Sequence, residues 1–158
     1  MGAHVRHPNG VESRGDGGRS SPLLQSVFGW RWQVTIEATI NELIADAHET
    51  AVSKGWWEKH RRALLFMPEL KPDLVVALLG LVDSETAEAM EEVRAGVELN
   101  KLWFDNDGKP LGVASELADV LIRVFDMAGE HEIPLAEALV KKLAYNKTRA
   151  YRHGGKLV

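Results

Sequence analysis

The sequence predicts an all-α protein, a bundle of the four-helix type. Three observations carry this. Four segments place apolar residues at three- and four-residue steps, the period of a helix with one buried face. Glycine and proline fall mainly at the ends of those segments. No stretch shows the strict alternation that marks a half-buried strand, and no internal repeat is visible.

The chain opens on a segment that belongs to none of the four. Residues 1–30 contain Gly2, Gly10, Gly15, Gly17 and Gly18, with Pro8, Pro22 and scattered arginines, and read as a flexible tail. The structured body is then 31–158. Its first helix is expected from Thr35, which can cap the first turn, with Ile36, Ile40, Leu43, Ile44 and Ala47 as its stripe. Gly55 should end it in a left-handed C-cap. A polar, basic stretch (Lys59, His60, Arg61, Arg62) and a short helical piece over Ala63 to Met67 lead to Pro72. Proline is tolerated in a first turn, so the second helix is expected from Pro72 to about Ala95, with Gly96 as its stop. Leu74 to Val82 is apolar nearly all round, which predicts a central element. Val97 to Gly112 reads as a connection turned by Asn106, Asp107, Gly108 and Pro110 and anchored by Trp103 and Phe104. The third helix is expected from Val113 to Ala128, with Leu117, Val120, Leu121, Val124 and Phe125 apolar and Gly129 as its end. The fourth runs from Pro134 to about Asn146 on Leu135, Ala138, Leu139 and Leu143.

Composition narrows the function classes. At 158 residues and 45% hydrophobic, the chain can bury one core. Its formal charge of -4 argues against a nucleic-acid binder, which would show a basic patch. With no cysteine, disulfides, thiolate metal sites and a cysteine nucleophile are excluded. No apolar run nears the roughly 20 residues that span a bilayer, and the start lacks the apolar core of a signal peptide. A cytoplasmic protein without membrane partners is the expectation.

The informative feature is a set of acids. Glu85 and Glu88 form one ExxE pair, and Glu116 and Asp119 form an ExxD pair on the next long helix. Positions three apart on a helix differ by about 60° in azimuth, so each pair shares a side. Stepping the apolar row Leu78, Leu81 and Val82 forward leads to Glu85, Glu88 and Glu92, so these acids extend the core face. Glu116 and Asp119 sit beside Leu117 and Val120 at the edge of the other stripe. Two like charges about 4 Å apart repel by roughly 4 kcal/mol at an effective dielectric near 20. Four carboxylates at one end of a bundle therefore call for protonation or a cation, and an all-carboxylate set suits Mg²⁺ and a phosphate substrate. The competing reading is plain: ExxE on a helix commonly marks a solvated face, and Glu116 near a helix start is favoured by the helix dipole.

Other residues add to this picture. Lys142, Asn146 and Arg149 occupy successive turns of the fourth helix and its exit, where they can hold phosphate charge or a sugar hydroxyl, or simply form a basic last turn. Arg123 lies one turn after Asp119, placed to touch substrate or to neutralise a carboxylate. Trp56 and Trp57 can stack a base or pack the exit of the first helix.

The run Ser84-Glu85-Thr86-Ala87-Glu88-Ala89, followed by Glu116-Leu117-Ala118-Asp119-Val120-Leu121-Ile122-Arg123, resembles the MazG-type all-α nucleoside triphosphate pyrophosphohydrolases. Asp107 to Gly112 is similar to that family's lead-in to the second acidic motif. Lys142-x3-Asn146-x2-Arg149 is similar to its C-terminal motif, and Lys54-Gly55-Trp56-Trp57 to a run seen in a MazG-like subgroup. The resemblance covers about residues 35–156. Two features depart from it: Ala87 stands where many relatives have glycine, and the loop from Lys59 to Lys71 is longer than in compact relatives.

The resemblance implies a MazG-like fold and hydrolysis of a (d)NTP to monophosphate and pyrophosphate, by attack of water at the α-phosphorus, in nucleotide pool sanitation or control. It implies Mg²⁺, with Mn²⁺ as a possible substitute, on Glu85, Glu88, Glu116 and Asp119. Glu88 and Glu85 would be the catalytic carboxylates; Glu91 and Glu92 stay open as bases beside Glu88. Lys142, Asn146, Arg149 and Arg123 would meet the nucleotide. His48 and Trp57, matched by order alone, would line a base pocket. The nearly all-round apolar second helix implies a homodimer or homotetramer with sites near subunit contacts. Three alternatives stand beside it: a phosphoribosyl-ATP pyrophosphohydrolase, a non-catalytic helical oligomerisation module, and a di-iron bundle. The last would want Glu-x-x-His, and no histidine follows Glu85 or Glu116 by three.

Overall fold

A computed structural model describes residues 22–150, with the side chains of residues 35–150. The protein is mostly helical. The order is α1 (Pro22–Ser53), α2 (Glu58–Phe66), a single 3-10 turn (Pro68–Leu70), α3 (Lys71–Arg94), β1 (Trp103–Phe104), β2 (Pro110–Leu111), α4 (Val113–Glu130) and α5 (Leu135–Thr148).

The first helix starts well before Thr35, so that threonine lies inside α1 and is not its cap. The tail expected over 1–30 falls largely outside the described residues, and its last part, from Pro22, is the start of α1. Gly55 (φ +78°) ends α1 and Gly96 (φ +81°) ends α3, both in the left-handed conformation expected of them. After Gly55, the Trp56 N–H reaches back to the Ala51 carbonyl, and after Gly96 the Val97 N–H reaches the Glu92 carbonyl. These bonds satisfy carbonyls that a helix end would otherwise leave unpaired. The basic stretch before Ala63 is not a loop but the first half of α2, which begins at Glu58.

Two sequence expectations change. A small antiparallel hairpin exists where no strand was expected: Trp103 pairs Leu111 and Phe104 pairs Pro110. Two-residue strands are too short to show a period. Their tight turn is held by Asp105, whose carboxylate accepts the Asp107 and Lys109 N–H groups, each at 2.9 Å. The Ser115 hydroxyl donates to the Pro110 carbonyl and ties the hairpin to the first turn of α4. Trp103 lies against Gly112, where an added Cβ would come within 2.5 Å of the indole; Phe104 is exposed. Gly129 does not end its helix either, since α4 continues to Glu130. Its role is close approach: a Cβ there would lie 2.6 Å from that of His48 on α1.

The central element is α4 and not the second long helix. α4 packs on α3 along one side and on α1 along the other, and α1 also packs on α5. The apolar first half of α3 leaves Val76, Leu79 and Leu81 exposed. α4 exposes Leu117, Leu121 and Ile122, and turns a charged row inward: Glu116, Asp119, Arg123, Asp126 and Glu130. What the single chain buries is modest, chiefly Trp57, Ala89, Val113, Ala128, Ala136 and Val140. Among the described residues, no helix is long and apolar enough to cross a membrane.

Candidate metal centre and adjoining pocket

α3 and α4 bring three carboxylates together. One oxygen from each of Glu85, Glu116 and Asp119 lies within 4.8 Å of the other two, a spacing that a divalent cation bridges. Glu85 and Glu116 are each only 9% exposed, unusual for acids. Burial pushes the Glu116 carboxyl above its ordinary pKa, and the charges of Glu88, Asp119 and Glu85 push the same way, against Lys109. A proton on Glu116, or a cation beside it, would relieve both effects. Arg123 partly compensates: its guanidinium donates to Glu85 at 2.9 Å, and also lies 5.5 Å from the centre of the Trp56 ring.

Glu88 does not join the three. The inward row of α3 is Leu78, Val82, Glu85, Ala89 and Glu92, with Leu81 and Glu88 exposed beside it. A step of four from Glu85 drifts about +40° and reaches Ala89, whereas a step of three drifts about -60° and carries Glu88 toward the rim. From there its charge still reaches Glu116.

A pocket of about 650 Å³ opens between α1 and α4 beside the carboxylates. Glu85, Asp119 and Arg123 line its acidic end; Ala47, Ala51, Ile122 and Phe125 are among its apolar walls. Lys54, Trp56 and Asp126 also line it. This volume lies within the usual range for small-ligand sites.

The two tryptophans divide their roles. Trp57 is 3% exposed, so neither face is free to stack a base, and its indole N–H donates to Asp126 Oδ1 at 2.7 Å. The exposed indole at the pocket is Trp56, at 66%. His48 is likewise not a pocket wall: its Nδ1 meets the same Asp126 oxygen at 2.9 Å, and its Nε2 lies 3.4 Å from Glu130. Lys142, Asn146 and Arg149 are exposed on α5 or at its end and do not line the pocket. Lys142 instead lies over the Tyr145 ring. The 151–156 tail lies outside the described residues.

Trp56 is one of the two tryptophans that the sequence offers for stacking a base; Lys54 and Asp126 are not site candidates there, yet a signal for Asp126 exists. The row Glu116, Asp119, Arg123, Asp126, Glu130 advances by three or four at every step, so all five share one face of α4.

Below the pocket, Trp57 is ringed by imidazoles. Its ring meets His60 at 4.9 Å, His48 at 5.8 Å and His131 at 5.9 Å between centroids. The Nε2 atoms of His60 and His131 are buried without a hydrogen-bond partner among the described residues. Burial lowers the His131 pKa, helped by Lys71, His60 and His48 and opposed by Glu130. For Glu130, burial acts upward, but the Arg61 hydrogen bond and charge, with His48 and His131, hold it below the ordinary carboxylate value. Both shifts have the same sign for stability. An unfolded His131 takes up its proton at higher pH than a folded one, so stability falls as pH drops from 6.5, the ordinary imidazole value, through the folded pKa. Glu130 adds a second loss as pH falls below 4.5 toward its own lowered value. The urea midpoint of the wild type should therefore drop between about pH 7.5 and pH 5.5, and drop less in His131→Leu. Equal slopes in the two proteins would remove His131 as the cause.

Compared with known proteins, the chain matches no family model, no curated protein and no solved structure.

Proposed function

We propose that the chain is a Mg²⁺-dependent nucleoside triphosphate pyrophosphohydrolase on a MazG-like bundle, acting on a cytoplasmic nucleotide pool. One observation carries the reading: Glu85, Glu116 and Asp119 converge at the edge of an apolar-walled pocket large enough for a nucleoside. The donor set is hard oxygen only, and the raised Glu116 carboxyl is what a site short of a cation would produce. Mg²⁺, or Mn²⁺ in its place, would be held by these three and would draw charge from the phosphates and acidify water.

The chain's own residues do the rest. Water oxygen bonds to the α-phosphorus as the bond from phosphorus to the α–β bridging oxygen breaks. Pyrophosphate leaves with that electron pair, and the water's proton passes to a carboxylate. Glu88 is the favoured acceptor, being exposed at the rim and near Glu116. Glu91 is engaged by Arg94, which makes it the weaker choice. Lys54 and Arg123 line the pocket as cations for phosphate oxygens, and Trp56 presents an indole to the base.

The exposed apolar rows Val76, Leu79 and Leu81 on α3, and Leu117 and Leu121 on α4, support a homodimer or homotetramer. In such an assembly the exposed Lys142, Asn146 and Arg149 are available to a neighbour's site.

The test is direct. Incubation with a panel of ribo- and deoxynucleoside triphosphates and Mg²⁺ should yield monophosphate and pyrophosphate in equal amounts, and chelation should stop it. Orthophosphate and diphosphate as products would overturn the bond assignment. No turnover with any nucleotide would overturn the enzyme, and sedimentation of the same sample checks the assembly.

A further inference from the structure

We infer that Asp126 sets the base preference of this site, selecting nucleotides whose base presents an exocyclic amino group to the pocket; the inference rests on the hydrolase reading above. The two oxygens of Asp126 have different surroundings. Oδ1 receives the Trp57 indole N–H at 2.7 Å and faces His48 Nδ1 at 2.9 Å. Oδ2 has no hydrogen-bond partner among the described residues, and Asp126 lines the pocket. The carboxylate is thus fastened through one oxygen and free to accept through the other.

The fastening is rigid. Trp57 is buried and sits in the turn between α1 and α2, so its N–H cannot swing away without disturbing that turn. His48 is itself held, its Nε2 lying 3.4 Å from both Glu130 and the Arg61 guanidinium, while Arg61 pairs Glu130 at 2.6 Å. A tryptophan N–H can only donate. Oδ1 is therefore committed as an acceptor, and Oδ2 is the oxygen left to accept from a ligand in the pocket that Asp126 lines.

Position fits a base. Asp126 follows Asp119 by two turns on the same face of α4, about 10 Å along the axis. That is of the order of the span from an α-phosphate to the far edge of its base. Most of the wall between them is apolar, Ile122, Phe125, Ala47 and Ala51 among it, with Asp46 and Thr50 as further polar lining, so a base edge at Asp126 that cannot donate loses water without a bond there in return. An amino group donates to the carboxylate. A carbonyl at the same place meets a second acceptor, which costs desolvation and adds repulsion. In uracil the ring N–H is flanked by two carbonyls, so turning it toward Asp126 brings oxygen to oxygen on either side.

The experiment compares pairs that differ by amino against oxo: dCTP with dUTP, and dATP with dITP, all with Mg²⁺. For the wild type, kcat/KM should favour the amino member of at least the better-accepted pair by about 10- to 100-fold, the worth of a hydrogen bond to a charged group. In Asp126→Asn, the amide oxygen can take over the bonds to Trp57 and His48, which leaves an NH₂ facing the pocket. The amino-to-oxo ratio should then fall by about tenfold or more, mainly through KM. Wild-type turnover with no amino preference in either pair overturns the inference and leaves the hydrolase standing. So does a folded Asp126→Asn protein with an unchanged ratio. If the variant does not fold, the wild-type pairs alone decide. No pyrophosphate from any of the four, nor from the wider panel, would overturn the hydrolase reading and this inference with it.

Discussion

Glu116→Gln should remove pyrophosphate release while making the metal-free protein more stable. Both halves follow from one fact: Glu116 is buried among like charges. Its carboxylate would be one of three anionic donors to a cation, and a neutral amide oxygen is a far weaker one. Loss of a group that positions transition-state charge typically costs a factor of about 10²–10³ in rate, and kcat/KM should fall by at least that. In the absence of metal, however, the same carboxylate adds repulsion with Glu88, Asp119 and Glu85 to the cost of its own burial. Gln keeps the shape and removes the charge. The melting midpoint without Mg²⁺ should rise by about 3 °C, the shift that about 1 kcal/mol makes in a chain of this size. Added Mg²⁺ should raise the wild-type midpoint and leave the variant nearly unmoved. A variant that is less stable without metal than the wild type would show that Glu116 is a structural acid whose partners hold it, and the cation reading would fail at its base.

The acids were legible because helical spacing survives without knowledge of the neighbour. Glu85 lay on an apolar row in the sequence and is buried in the fold; Glu116 and Asp119 lay beside one and meet it across the α3–α4 contact. Glu88 was harder to place, because two forward steps differ by about 100° in azimuth and only packing decides between them. The central role was misassigned for a related reason. Leu74 to Val82 is apolar all round, which reads as the middle of a bundle, yet Val76, Leu79 and Leu81 are exposed in the single chain. Hydrophobicity says that a surface is to be covered, not whether the same chain covers it. α4 shows the converse. Its apolar Leu117 and Leu121 are exposed, and its charged row faces α1 and α3. A carboxylate can sit inward when donors such as Arg123, Trp57 and His48 come from other helices, and a sequence does not display those pairings. The assignment between Trp56 and Trp57 was out of reach for the same cause. Adjacent residues in a turn diverge, and which one turns inward depends on the αL step at Gly55 and on the Asp126 acceptor on a distant helix.

That assignment yields the second large effect. Trp57→Ala should destabilise the protein by about 3–5 kcal/mol, the range for deleting a buried aromatic side chain. Trp57 is the largest side chain among the well-buried residues, and it touches the helices around it through several rings at once: His48 of α1, His60 of α2 and His131 at the end of α4. α2 contributes no buried residue of its own. It packs on the 3-10 turn that follows it, and this indole, the imidazole of His60 beside it and the Arg61 pair with Glu130 tie it to α1 and α4. Deleting the indole opens a cavity beneath α2, strands a donor-seeking Asp126 oxygen with His48 alone, and leaves the His60 and His131 rings without the face they pack against. Trp57→Phe should recover most of the packing but not the N–H bond, and so should lose only about 1–3 kcal/mol. Trp56→Ala is the control. That indole is two-thirds exposed, so its loss should move the denaturation midpoint by less than about 0.5–1 kcal/mol while raising KM for nucleotide severalfold. Denaturant titration of the three variants separates the cases. If Trp56→Ala were the destabilised protein and Trp57→Ala the one with altered KM, the division of labour between the two tryptophans would be reversed, and with it the placement of Asp126 between a buried clamp and an open pocket.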